Sequence, residues 1–179
     1  MRPIVVALLL VAATAQAEPL RKVSQGWQSR VWGNRDWVVK VTRFRIPEMG
    51  IMPRRDDAKR LAMTRHSVQL VDKLRASPAF VAYRHLLPDT YQARKFVVVQ
   101  RRVSGVTFDA LSPTAQMVAA GQLAALRAAA LRALPGVEMD LNSSNVLFEA
   151  DGTLRAWFDP AGIGSWAGAW RAGDRVPSD

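Results

Sequence analysis

Residues 22–42 read KVSQGWQSRVWGNRDWVVKVT, with apolar and polar side chains alternating on both sides of the turn-forming GNRD at 33–36. Successive side chains of an extended chain point to opposite faces, so this alternation predicts strands joined by a hairpin. After the breakers Pro47, Gly50 and Pro53, residues Ala58, Leu61, Ala62, Val68, Val71 and Leu74 fall near helical spacing. They predict one amphipathic helix over 54–75. The stretch 80–105 reads as two extended segments, the second being the apolar run 96–99, closed by Ser104 and Gly105. Ser112 and Pro113 form an N-cap and first-turn pair before an alanine- and leucine-rich helix over 115–134, expected to be buried and stopped by Pro135 and Gly136. Residues 146–148 and 154–158 flank Asp151-Gly152, the strongest short hairpin signal in the chain. Strands, helix, strands, helix and hairpin in that order predict an α+β fold rather than an alternating α/β one.

None of the 179 residues is cysteine, which excludes disulfides, thiolate metal sites and cysteine nucleophiles. The fold must therefore rest on its apolar core. The first 17 residues have the pattern of a signal peptide: Arg2, an apolar run from Ile4 to Ala13, and Ala15-Gln16-Ala17 before Glu18. That run is too short to span a bilayer, and no later one is apolar enough. The expectation is an exported, secreted or periplasmic protein of residues 18–179 with no membrane span. The chain carries 25 basic and 15 acidic residues, a net +10; loss of Arg2 with the leader leaves 24 against 15, or +9. Such an excess suits an acidic partner, but no nucleic-acid reading module accompanies it, so no specific nucleic-acid partner is expected.

Two stretches carry candidate chemistry. SQGWQSRV places the small residues Ser24, Gly26 and Ser29 before Val31, and Lys40 follows in WVVKV. Small residues let a backbone approach phosphates, and a lysine on a strand gives them a fixed positive charge. In GVEMDLNSSNVLFEADGTLRAWFDP (136–160), Asp140 precedes Asn145 by five residues, and Asp159 ends the second strand of the expected hairpin. The pattern brings oxygen ligands or bases to one edge. Magnesium takes hard oxygen donors, and phosphoryl transfer uses a carboxylate near the acceptor hydroxyl.

With these motifs in this order, the chain resembles the protein-kinase-like superfamily, which includes the aminoglycoside phosphotransferases and small bacterial effector kinases. SQGWQSRV is similar to the glycine-rich loop with serines for the outer glycines, WVVK to the strand-three lysine motif, and VVVQRRVSGVTF to the last N-lobe strand entering the hinge. EMDLNSSN is similar to the catalytic loop and WFDPAG to the metal-binding Asp-Phe-Gly segment. The resemblance covers 22–163. It implies a minimal bilobal kinase-like fold: a β-rich N-lobe over about 18–103, a hinge near 101–105 and a truncated helical C-lobe over about 104–179.

It also implies site roles. Lys40 would hold the α- and β-phosphates of ATP, with Gly26 and Ser29 over the phosphates. Val31 and Val38 would sandwich the adenine, and the backbone of Arg102 and Val103 would meet its edge. Asp140 would be the catalytic aspartate, and Asn145 and Asp159 would hold Mg2+. The implied activity is transfer of the ATP γ-phosphate to a hydroxyl on a protein or a small molecule.

The chain departs from the family pattern in several places. Glu138-Met139 stands where the family usually has histidine and a basic or small residue, and Pro160-Ala161 replaces the phenylalanine and glycine after Asp159. About twenty residues follow Asp159, and the resemblance then leads to the expectation of a minimal kinase fold without the lobe that docks peptides. For the acidic partner of Lys40 the candidates are Glu48, Asp56, Asp57 and Asp72, with Asp57 favoured over Glu48. The rival reading is a pseudokinase that serves as a binding or scaffold module.

His66 and His85 have no second histidine at ligand spacing and are read as ordinary residues. Trp32, Trp37 and Trp157 are read as packing residues. Trp27 sits at the tip of the expected phosphate loop, while Arg101 and Arg102 are either a solvated pair or substrate contacts.

Overall fold

The computed structural model describes residues 18–25, 29–42, 57–137 and 139–161. The expected leader at 1–17, Gly26, Trp27, Glu48, Asp56 and Glu138 lie outside the described residues. The architecture is α+β, in two compact units, Met1–Val68 with Asp89–Arg102 and Gln69–Pro88 with Val103–Asp179.

The first unit is built on a five-stranded antiparallel sheet of β1 (Arg21–Gln25), β2 (Ser29–Gly33), β3 (Trp37–Thr42), β4 (Thr90–Arg94) and β5 (Val97–Arg101), in the spatial order β1, β2, β3, β5, β4. The alternation over 22–42 thus resolves into three strands. The GNRD turn owes its shape to Asn34, whose Oδ1 accepts the backbone N–H groups of Asp36 (3.0 Å) and Trp37 (2.8 Å). An asparagine side chain that bonds its own chain two residues on mimics a backbone turn.

Period-two alternation gives the sheet two distinct faces. Val39, Val97 and Val99 form a small core on one face with Leu20, Trp37, Val41 and Ala93 packed against it. The helix α1 (Asp57–Ala76) begins in this unit, as the apolar spacing predicts. The hydroxyl of its fully buried Thr64 is bonded to the Thr42 hydroxyl at 2.8 Å. Arg60 sends Nε and Nη2 to the Thr42 carbonyl at 3.1 and 2.9 Å, and its guanidinium lies 4.0 Å from the centre of the Phe96 ring. Together these contacts fix the start of α1 to the end of β3.

In the second unit, residues 80–86, expected to be extended, belong instead to a 3₁₀ helix over Pro78–Leu86. Phe80 and Leu86 are buried and Tyr83 is partly so, a spacing of three that matches the three-residue turn of a 3₁₀ helix. The first extended segment falls later, at β4. Helix α2 (Pro113–Ala133) opens as expected, with Ser112 Oγ accepting the N–H of Ala115 at 3.3 Å. It is not buried all round. Ala115, Ala119, Leu126, Ala129 and Ala130 face the core, whereas Met117, Val118 and Leu131 are exposed.

The hairpin of β6 (Val146–Phe148) and β7 (Leu154–Trp157) packs on this helix through small residues. Gly152 has φ +91°, and a Cβ placed there would stand 2.2 Å from the Ala115 carbonyl oxygen. Only glycine allows both the left-handed turn and that approach. Gln122 of α2 accepts the Leu154 N–H at 2.7 Å, tying the second strand to the helix. Trp157, Phe80, Phe148, Leu74 and Leu126 fill the core beneath, with no exposure above 2 %.

Candidate functional site

The hairpin register decides where the chemistry-bearing residues of the second unit go. Val146 pairs with Trp157, and the ladder extends one step further because the Phe158 N–H donates to the Asn145 carbonyl at 3.0 Å. Asn145 therefore enters β6 beside the point where Asp159 leaves β7. Asp140 is drawn to the same end by backbone bonding, since its N–H donates to the Pro160 carbonyl at 3.0 Å. The three residues singled out by sequence thus share one end of one hairpin, each partly exposed.

The loop between them is ordered by its own side chains. Asp140 Oδ1 accepts the Asn142 N–H at 3.1 Å, Asn142 Oδ1 accepts the Ser144 N–H at 3.2 Å, and the Asn145 N–H reaches the Asn142 carbonyl at 2.9 Å. Consecutive turns of this kind explain why the stretch DLNSSN is rich in short polar residues.

Sequence reasoning missed Trp157 in this role. Its fully buried indole donates Nε1–H to the Asp140 carbonyl at 3.1 Å, and its ring lies 6.3 Å from Phe80 between centroids. A buried tryptophan needs a partner for its N–H, and that rule was the available signal. Which carbonyl it meets depends on tertiary proximity. Two hydrogen bonds, one from the Asp140 N–H and one to its carbonyl, thus hold Asp140 against the strand that leads to Asp159.

In the first unit, Lys40 lies on the third strand, directly opposite Val31 of β2 and Val98 of β5. Val38 lies opposite Gly33 and Gln100. Residues directly opposite share a face, so Ser29, Val31, Val38 and Lys40 stand on one face of the sheet. Gln100, on the same face, is buried and donates Nε2–H to Thr90 Oγ1 at 3.0 Å.

The Arg102 N–H, expected at the hinge, is engaged within the sheet, donating to the Asp36 carbonyl at 2.8 Å. The two arginine side chains there are engaged with the sheet as well: Arg102 Nη1 donates to the Asn34 carbonyl at 2.7 Å, and the Arg101 guanidinium lies 5.2 Å from the Trp37 ring centre. Asp57 accepts Nη1 of Arg60 at 3.0 Å, one turn along α1.

The donor set suits magnesium. An asparagine oxygen and a carboxylate are hard ligands, and this ion takes one or two carboxylates and completes its shell with water and substrate phosphates. Asn145 and Asp159 fit that pattern. Among the described residues no group of three histidine, cysteine, aspartate or glutamate side chains forms a protein-only metal cage.

No protein-family model matches the chain, and no curated protein matches it by sequence. Among solved structures it is similar to the aminoglycoside phosphotransferase APH(2″)-IIa in a ternary complex with streptomycin and ATP, with 21 % identity and a TM-score of 0.46. That similarity covers 78 % of this chain and 41 % of the other, so the chain spans less than half the length of the protein it matches.

Proposed function

We propose that the protein is an ATP-dependent phosphotransferase that moves the γ-phosphoryl group to a hydroxyl acceptor, on a protein, after export through its leader. The observation that carries the reading is the convergence of Asp140, Asn145 and Asp159 on one end of the β6–β7 hairpin, tied by three hydrogen bonds. Lys40 on the third strand, on one face with Ser29, Val31 and Val38, supports it from the other unit.

In this reading Lys40 balances the charge of the α- and β-phosphates, and Val31 and Val38 supply apolar contact to the base. Val103 offers backbone groups to the base edge. Asn145 and Asp159 hold magnesium, which when bound neutralises charge on the β- and γ-phosphates. Asp140 accepts the acceptor's hydroxyl proton as the new oxygen–phosphorus bond forms and the bond to the ADP oxygen breaks. Its backbone carbonyl and N–H are bonded, and its Oδ1 accepts the Asn142 N–H at 3.1 Å, which together orient the carboxylate before substrate arrives.

Calorimetry of residues 18–179 with ATP and magnesium tests the nucleotide part. Saturable, magnesium-dependent heat that Lys40→Ala diminishes is expected. No heat change and no thermal shift at millimolar nucleotide, with folded protein, would overturn the reading.

A further inference from the structure

Lys22, Arg30, Trp32, Trp37 and Arg101 have no role in phosphoryl transfer. They meet on the face of the sheet opposite Lys40. Register places Lys22, Trp32, Val39, Val99 and Tyr91 in a single row across all five strands, each directly opposite the next. In the next row Trp37 lies opposite Arg101, whose guanidinium sits over its ring, while Tyr91 meets Trp37 edge-on with centroids 6.3 Å apart. Arg30 stands opposite Val41 on the same face.

The floor of this face is apolar and dry, with Val39, Val97 and Val99 no more than 5 % exposed. Around it the cationic and aromatic groups reach solvent: Lys22, Arg30 and Arg101 are exposed, and Tyr91 is 47 % exposed. None of the five strands contains an acidic residue, although they include Arg21, Lys22, Arg30, Lys40, Arg94 and Arg101.

We infer that this face binds single-stranded nucleic acid, with Lys22, Arg30 and Arg101 meeting phosphates and the exposed Tyr91 stacking on a base, while Trp37, packed on the valine floor and covered by Arg101, holds Tyr91 from its edge. Two features select that ligand. A polyanion alone would need the cations but not the aromatics, and a duplex keeps its bases stacked inside, away from a flat sheet. Unpaired bases offer π-faces to aromatic side chains whatever their identity, so the site has no strong sequence preference. Strands spaced about 4.8 Å apart make the five-stranded face roughly 19 Å broad, comparable to the four-stranded sheets on which two or three bases stack. The inference is independent of the phosphotransferase reading, because Lys40 points to the other face.

The test is fluorescence anisotropy of residues 18–179 with a fluorescein-labelled twelve-nucleotide oligothymidine, at several salt concentrations. Binding is expected, with a salt slope near −2 from about three phosphate contacts at roughly −0.7 each. Arg101→Gln should flatten that slope by about 0.7. Tyr91→Ser should weaken binding roughly 5- to 150-fold, the range of one lost base stack, whereas Tyr91→Phe should bind as the parent does. Thermal melts check that both variants fold. An absence of binding at low salt overturns the inference. So does equal competition by heparin, a DNA duplex or anionic vesicles together with no effect of Tyr91→Ser, which would leave only the attraction of a basic surface for any polyanion.

Discussion

Three glycine-to-alanine changes separate backbone conformation from steric room in the second unit. At Gly121, exposed within α2, nothing lies within 4 Å of the added methyl group. The change should stabilise by about 0.5–1 kcal/mol through helix propensity and a less flexible unfolded chain. At Gly136, φ is +75° with open space around it, so alanine bears only the left-handed penalty of about 1–2 kcal/mol. Gly152 combines φ +91° with a Cβ position 2.2 Å from the Ala115 oxygen, 3.0 Å from its carbonyl carbon and 3.2 Å from its Cα. All three neighbours are backbone, so no side-chain rotation relieves the overlap. Forced separation of hairpin and helix adds a further cost of about 1–3 kcal/mol, typical of overpacking, for a total of about 2–5 kcal/mol. Urea unfolding followed by circular dichroism, with the three variants beside the parent, gives the order of midpoints. The packing of the hairpin on α2 is refuted if Gly152→Ala costs no more than Gly136→Ala.

Trp157→Phe keeps an aromatic ring against Phe80 and removes the N–H that bonds the Asp140 carbonyl. It should cost about 1–3 kcal/mol in unfolding free energy and slow phosphoryl transfer while leaving the Kd for ATP unchanged; an unchanged transfer rate would show that the indole does not position Asp140. The Asp151 carboxylate is held below its ordinary value of 3.8, first by the Thr153 backbone N–H at 2.9 Å and then by the Thr153 side chain. Because the folded value is depressed, its contribution is present above the ordinary value and is lost as pH falls through the lowered one. The stability gap between parent and Asp151→Ala, measured by urea unfolding, should therefore shrink below about pH 4, and a gap that grows on acidification would contradict the assignment.

Legibility in the sequence followed the range of the interactions involved. The strands of 22–42 show in their period-two alternation, and the Ser112 cap and the Asp151-Gly152 turn depend on neighbours within four residues, so the chain states these directly. The 3₁₀ helix at 78–86 escaped because a spacing of three over nine residues resembles neither a strand nor an α-helix. Helix α2 looked buried from its alanines and leucines, yet composition does not say which face meets a partner, and Met117 is 78 % exposed. The positions of Asp140, Asn145 and Asp159 in the sequence suggested a common edge. That they meet there rests on the β6–β7 register and on the bond from Asp140 N–H to Pro160, which spacing alone does not specify. The bond from Trp157 to Asp140 joins residues seventeen apart and was invisible for the same reason.

The central claim is that Asp140 serves the acceptor and Asp159 serves the metal. Transfer of labelled γ-phosphate from ATP to protein in a cell extract, measured alongside nucleotide titrations for the parent, Asp140→Asn and Asp159→Asn, addresses it most directly. The account predicts that Asp140→Asn lowers transfer by about 10²- to 10⁴-fold with ATP binding retained, and that Asp159→Asn weakens magnesium-dependent binding as well. Full transfer by Asp140→Asn would contradict it, and so would a parent protein that binds ATP yet labels nothing, itself included.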